Sequence, residues 1–228
     1  MSDTHQVIFL FDVDNTLLDN DRMKGDLSAH VEAVFGKEAD EQLWALYEGE
    51  RVKHGYADFL GTLEKFRLAH LENPRVLQLA NWVMDYPYIE RLYPDALGAV
   101  RHVRQWGLPV ILTDGDGVYQ PHKLERAGLL DAFGGHVLNY VHKEKELNSV
   151  QSAYPSKHYV LIDDKLKLLD AVKTAWGDRV TTVFPRQGHY ANDARALAGA
   201  QPADIEIARI ADLMELDFSA LAPAREGD

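Results

Sequence analysis

Four short runs of branched and aromatic residues punctuate the chain, at positions 7–11 (VIFLF), 108–113 (LPVILT), 158–162 (HYVLI) and 180–184 (VTTVF). Each is a continuous apolar stretch and not an alternation of apolar and polar positions, which is the pattern of strands covered on both faces in a parallel sheet. A weaker run at 137–141 (VLNYV) adds a further strand. Between the runs, apolar residues recur at helical spacing over 94–106, 121–127 and 165–176, which stop at Gly107, Gly128 and Gly177. Proline near a helix start, as at Pro94 and Pro121, and glycine just past its end are ordinary boundary signals. Strand alternating with helix predicts an α/β fold built on a doubly wound parallel sheet.

One interval breaks that rhythm. About ninety residues separate the first run from the second, far more than one crossover helix needs. From position 23 to 84 the chain reads as helix after helix, as in DEQLWALYEGERV and ADFLGTLEKFRLAHL, with no convincing strand. The reading is an inserted all-helical unit over residues 19–92, with residues 1–18 and 93–228 forming the α/β core. Trp44, Tyr47 and Trp82 lie at helical spacing and are expected to form the insertion's own core. The last seven residues, APAREGD, read as a frayed tail.

Composition narrows the function classes. A chain of 228 residues, 46% hydrophobic and 26% charged, has enough apolar material for one large domain or a core with a smaller unit. Its formal charge of -12, with no run of Lys or Arg, argues against nucleic acid as a partner. There is no cysteine, no basic segment followed by a long apolar one at the start, and no apolar run of membrane-spanning length. The expectation is a cytoplasmic protein with no membrane partner.

The polar residues that follow the apolar runs supply the candidate chemistry. In an open parallel sheet, ligands bind in the crevice beyond the carboxyl ends of the strands. Asp12 and Asp14 follow the first run, Thr113 closes the second, and Asp163 and Asp164 follow the third. Two carboxylates about 4 Å apart repel by about 4 kcal/mol at an effective dielectric near 20. Something positive is therefore expected among them. An all-oxygen donor set suits Mg²⁺ better than Zn²⁺, and the ten histidines show no zinc-ligating spacing. Asp163 and Asp164 also suit the start of the helix that follows, since Asp favours caps.

DVDNT at 12–16, the strand ending in Thr113, a lysine in HKEKEL at 142–147 and IDD at 162–164 together resemble the haloacid dehalogenase superfamily, in its phosphatase branch. The resemblance spans roughly residues 6–185 and implies a Rossmann-like core with a helical cap inserted after the first motif. It implies that Asp12 attacks the phosphorus of a phosphate monoester and becomes an aspartyl-phosphate. Asp14 would protonate the leaving alkoxide, then activate water, while its backbone carbonyl ligates Mg²⁺. Backbone amides around residues 13–15 and the Thr113 hydroxyl would hold the phosphoryl oxygens. A lysine would balance the charge, and Asp12, Asp163 and Asp164 would hold the metal with Asp14.

Two departures matter. The family's usual Lys-Pro pair is missing, so Lys143 and Lys145 compete for the lysine role; Lys143 is preferred because an apolar run delivers it to the crevice. Lys123 reads as the exposed side of a helix. The segment FPRQGHYA at 184–191, with Arg186, His189 and Tyr190, reads as a surface loop or subunit contact more than as a substrate contact. Asp14 favours phosphoryl transfer over dehalogenation, because a halide leaves without a proton. The expected activity is Mg²⁺-dependent hydrolysis of a small-molecule phosphate ester. The rivals are a phosphomutase and a catalytically idle relative that serves as a binding module.

Overall fold

The computed structural model describes residues 5–221. In strand β1 (His5–Phe11), Val7, Phe9 and Phe11 enter one apolar core and Ile8 and Leu10 another, all without solvent exposure. A strand buried on both sides has no polar face, hence its unbroken apolar run. From β1 the chain enters four helices, α1 (Asn20–Phe35), α2 (Lys37–His54), α3 (Phe59–Ala69) and α4 (Val76–Met84), then a short 3-10 turn at Tyr88–Arg91. It returns through α5 (Ala96–Val103) to β2 (Leu108–Asp114). Next come α6 (Tyr119–Arg126), α7 (Leu129–Ala132), β3 (Val137–Tyr140), α8 (Leu147–Ala153) and β4 (Ser156–Ile162). The described chain continues through α9 (Leu166–Trp176), β5 (Val180–Pro185), α10 (Ala194–Leu197) and β6 (Ile205–Ile207).

All strand pairs are parallel, in the order β3-β2-β1-β4-β5-β6. Helices cover both faces: α5 and α6 contribute to the core with Phe9, and α8 and α9 to the core with Leu10. This is the doubly wound α/β architecture, and its direction of winding reverses between β1 and β4. A crevice opens there beyond the carboxyl ends of the two strands.

No strand interrupts the described chain between β1 and β2. Helix α1 buries Met23, Leu27 and Val31, four residues apart, and Asp19 caps it by accepting from the Arg22 amide at 2.9 Å. Helix α2 buries Leu43 and Tyr47, and ends at Gly55, whose φ of 80° is the left-handed conformation that glycine adopts freely. Trp44 and Trp82 pack against the same apolar cluster. The insertion enters and leaves by segments that lie side by side. Leu18 and Leu92 form an antiparallel bridge, the Asp19 amide donates to Arg91 O at 2.7 Å, and the Tyr93 amide donates to Leu17 O at 2.9 Å.

Helix α6 ties the insertion to the sheet. The Tyr119 and Tyr88 hydroxyls are hydrogen-bonded at 2.8 Å, the Tyr119 ring lies 5.1 Å from that of Phe59, and His122 Nε2 donates to Met84 O at 2.7 Å. Its buried face is Tyr119, Gln120, Lys123 and Leu124. The expectation of an exposed Lys123 is therefore wrong: the residue is 2% exposed.

The expected elements and the observed ones differ mainly at their ends. The helix read over 94–106 narrows to Ala96–Val103, with hydrogen-bonded turns following. Strand β6, three residues long, and helix α8 were not legible. The expected tail at 222–228 lies outside the described residues. Among the described residues no helix is long and apolar enough to cross a membrane.

Candidate active site

The acids meet where β1 and β4 end. β1 and β4 are hydrogen-bonded neighbours in register, Phe11 opposite Ile162, and the Asp12 amide extends the ladder by donating to Ile162 O at 2.9 Å. This register brings Asp12 beside Asp163 and Asp164. One carboxylate oxygen from each of the three lies within 4.8 Å of the others, and the residues are 3%, 0% and 0% exposed. Asp12 Oδ2 and both oxygens of Asp164 are buried without a hydrogen-bond donor. Asp163 Oδ1 accepts from the Lys165 amide at 2.8 Å, at the start of α9, so one acid of the pair does serve the helix end.

Lys143 sits among these acids. Its ammonium, 1% exposed with its residue, donates to Asp12 Oδ1 and to Leu112 O at 3.2 Å and lies 2.7 Å from Asp163 Oδ2. Lys145 points to solvent. Burial opposes the charge on Lys143, yet the Asp12, Asp163 and Asp114 carboxylates hold it protonated well above the ordinary lysine range. Lys165, next along the chain from the acid pair, is held up in the same way against its burial, first by Asp12. Burial pushes the Asp12 carboxyl up, with Lys143 pulling against it. Asp164 is raised further, by burial and then by the Asp12 and Asp163 charges. Buried charges are costly unless compensated. The donor-free oxygens of Asp164, converging with one oxygen each of Asp12 and Asp163 in a hard all-oxygen set, fit a small divalent cation such as Mg²⁺.

Asp14 is turned away from this trio. Lys123 of α6 donates to both its oxygens, at 2.6 and 2.7 Å, and Asp14 keeps 31% side-chain exposure toward the cleft. The turn between them is tightly bonded: the Thr16, Leu17 and Leu18 amides all donate to Val13 O. The Asn15 amide is not part of an anion nest, as it donates to Leu18 O at 2.7 Å. Among the described residues, the Val13 and Asp14 amides have no acceptor. Thr113, 1% exposed, accepts from Gln120 Nε2 at 2.9 Å, which leaves its own O–H to donate elsewhere.

The segment read as a surface loop is exposed at Arg186 and His189, but its buried Gln187 also braces this turn. Gln187 Nε2 donates to Asn15 O at 3.1 Å and Thr16 O at 2.7 Å, while its Oε1 accepts from the Ile210 amide at 2.8 Å. Asn15 itself has φ 65°, and its Oδ1 accepts from the Asn20 and Asp21 amides at 3.1 Å each, joining the acid turn to α1. His189 pairs with Asp21 at 2.6 Å. Arg186 points outward to Glu206, at 2.8 Å.

A cleft of about 550 Å³ lies over these residues, between α1 and α2 on one side and the loops after β2, β3 and β5 on the other. Asp14, Asp114 and Lys165 line its core side, and Lys24, Tyr47 and Arg51 its insertion side. Tyr47 thus serves both the insertion's packing and the cleft. At the far rim Gly55 approaches His142 so closely that a Cβ there would fall 2.6 Å from its Nε2.

Comparison with known proteins places this arrangement in context. No curated protein matches the chain. A protein of Burkholderia xenovorans LB400, described as a haloacid dehalogenase-like hydrolase, has a crystal structure that superposes with a TM-score of 0.89. It is 48% identical over 96% of this chain and 100% of its own. The L-2-haloacid dehalogenase of Xanthobacter autotrophicus, solved with chloropropionic acid covalently bound, gives a TM-score of 0.60 at 17% identity, over 91% of this chain and 96% of its own. The magnesium-bound HAD-hydrolase YfnB of Bacillus subtilis gives 0.63 at 17% identity, over 92% and 97%. These last two likenesses concern the fold. The haloacid dehalogenase-like hydrolase family profile matches residues 7–155. With a 48% identical relative over nearly its whole length and that family match, the chain belongs to the haloacid dehalogenase-like hydrolases.

Proposed function

We propose that this hydrolase is a Mg²⁺-dependent phosphatase acting on a small phosphate monoester through a phosphorylated Asp12, with residues 19–92 acting as a cap. The observation that carries the reading is the state of Asp12: one oxygen is held by Lys143 while the other is buried with no donor. One oxygen is steered and the other is free to attack. An acid stands two residues on, which hydrolysis of a phosphate ester needs and departure of a halide does not.

In the first step Asp12 Oδ2 bonds to phosphorus, the bond from phosphorus to the ester oxygen breaks, and Asp14 gives its proton to the departing alkoxide. In the second, Asp14 takes a proton from the water that attacks the phosphoryl group, restoring Asp12 and releasing inorganic phosphate. The carboxylate that Lys123 grips is the form Asp14 has between the two steps. The Val13 and Asp14 amides and the Thr113 hydroxyl are the donors for the phosphoryl oxygens. Mg²⁺ bound by Asp12, Asp163, Asp164 and the Asp14 carbonyl would offset the repulsion between the Asp12 carboxylate and the phosphate dianion.

The test is release of inorganic phosphate from p-nitrophenyl phosphate with Mg²⁺, by the wild type and by Asp12→Asn. Loss of turnover in the variant and in chelator supports the reading; equal rates in both proteins remove Asp12 from it. Chloride release from 2-chloropropionate without phosphatase activity would point instead to dehalogenation. Conversion of a hexose phosphate to its positional isomer, with no phosphate released, would point to a mutase.

A further inference from the structure

The chain carries a formal charge of -12, yet its cleft keeps an uncommitted cation. The carboxylates that line the cleft are each engaged. Asp14 is held by Lys123, Asp114 accepts from the Lys143 amide at 2.8 Å, and Glu144 lies 3.7 Å from His142. Most cations there are engaged too: Arg51 forks onto Glu48 at 2.8 and 2.6 Å, Lys167 donates to Arg195 O at 2.9 Å, and Lys165 faces the acid trio.

Lys24 is different. Among the described residues it makes no ion pair and no hydrogen bond; its ammonium stands over the Tyr47 ring, 4.9 Å from the centre. It is one turn beyond Asn20 on the same face of α1, and both line the cleft. The Asn20 amide is bonded to Asn15, beside Asp14, so Lys24 stands about 6 Å further from the reacting centre along the helix. A half-buried ammonium held against an aromatic face, whose charge reaches Glu48 only at longer range while Arg51 grips that carboxylate, in a cleft sized for a small metabolite, is a receptor for an anion. The phosphoryl group itself is provided for at the floor, by Lys143, the turn amides and a divalent cation that the acid trio would hold.

Resting on the phosphatase reading, we propose that the alcohol part of the substrate carries a second anionic group, a carboxylate or another phosphate, which Lys24 receives. The substrate class is then a compact phosphorylated acid or a bisphosphate, not a neutral sugar monophosphate. Lys24 binds the departing half and touches no reacting atom, so its contribution falls mainly on KM.

Matched pairs of esters test this: 3-phosphoglycerate against glycerol 3-phosphate for a carboxylate, and fructose 1,6-bisphosphate against fructose 1-phosphate for a second phosphate. p-Nitrophenyl phosphate is the reference. The wild type is expected to prefer the charged member of at least one pair by about tenfold or more in kcat/KM, chiefly through KM. The pair that shows it identifies the anion. Lys24→Met should bring that ratio close to one, Lys24→Arg should restore most of it, and Lys37→Met, on the exposed side of α2, should leave it as in the wild type. Turnover of both members with no preference, or a preference that survives Lys24→Met, overturns the inference alone. Absence of turnover of every ester, p-nitrophenyl phosphate included, overturns the phosphatase reading and this inference with it.

Discussion

Lys123 holds Asp14 by both carboxylate oxygens, at 2.6 and 2.7 Å, although the two residues are 109 positions apart. The pair is unequal: the lysine is 2% exposed and the aspartate side chain 31%. Their substitutions should therefore differ. Asp14→Ala strands a buried ammonium and should cost about 3 kcal/mol, toward the lower end for a broken buried pair because water can approach from the cleft. Lys123→Met replaces the charge with a side chain of similar length, and Asp14 can turn to solvent, so the cost should stay within about 1 kcal/mol. Urea denaturation of both variants measures this. On the proposed mechanism kcat falls in both, so stability and activity separate in Lys123→Met.

The acid trio predicts a response to metal. Mg²⁺ at about 100 times its Kd should raise unfolding free energy by about 2.7 kcal/mol if it binds only the folded chain. Asp164→Asn removes one of three buried like charges. In chelator this variant should be more stable than the wild type, and Mg²⁺ should stabilise it far less. Thermal melts with and without Mg²⁺ read both effects, and a variant less stable than the wild type in chelator would contradict the charge argument.

Gly188 is fixed by close approach. Its φ is 71°, and a Cβ there would fall 2.6 Å from Asn15 Cβ. Gly188→Ala meets left-handed strain of about 1–2 kcal/mol and pushes on the turn that follows Asp12 and Asp14. Stability should fall by at least that amount, and kcat should fall with it. A variant of normal stability and kcat would show that the brace does not position the turn.

The sheet edge predicts a pH dependence. Burial works to raise the Asp204 carboxyl, but the Thr182 amide at 2.8 Å and Lys173 Nζ at 2.9 Å hold it below its usual value of 3.8. Between the two values the unfolded chain binds the proton more readily, so stability falls as pH falls. The contribution is whole above about 3.8 and is lost as pH drops through the lower folded value. Asp204→Asn should be less stable than the wild type at neutral pH, and the gap should narrow across that acid window. A gap independent of pH would assign the effect to shape and not to charge.

Strands β1, β2, β4 and β5 were legible because burial on both faces leaves a continuous apolar signature, and the positions of Asp12, Asp163 and Asp164 followed from the ends of those strands. Lys123 was not legible. Its helix, YQPHKLER, puts Gln120 and Lys123 on the buried face beside Tyr119 and Leu124, so no apolar stripe marks which side faces inward. The signal was present only as spacing, since Lys123 follows the buried Tyr119 by one turn. Gln187 was hidden for a related reason: both ends of its amide bond backbone atoms distant in sequence, and nothing local reports that. Strand β6 escaped because three residues cannot show a period.

The bridge between Leu18 and Leu92 has a mechanical consequence. The helical unit is joined to the sheet by a doubled strap and not by two independent tethers, and a strap of that kind bends across its width but resists shear and twist. Its inner edge is the same peptide run that closes the Val13 turn, so on the proposed mechanism a swing of the helical unit and a reshaping of the turn after Asp12 are one motion, not two.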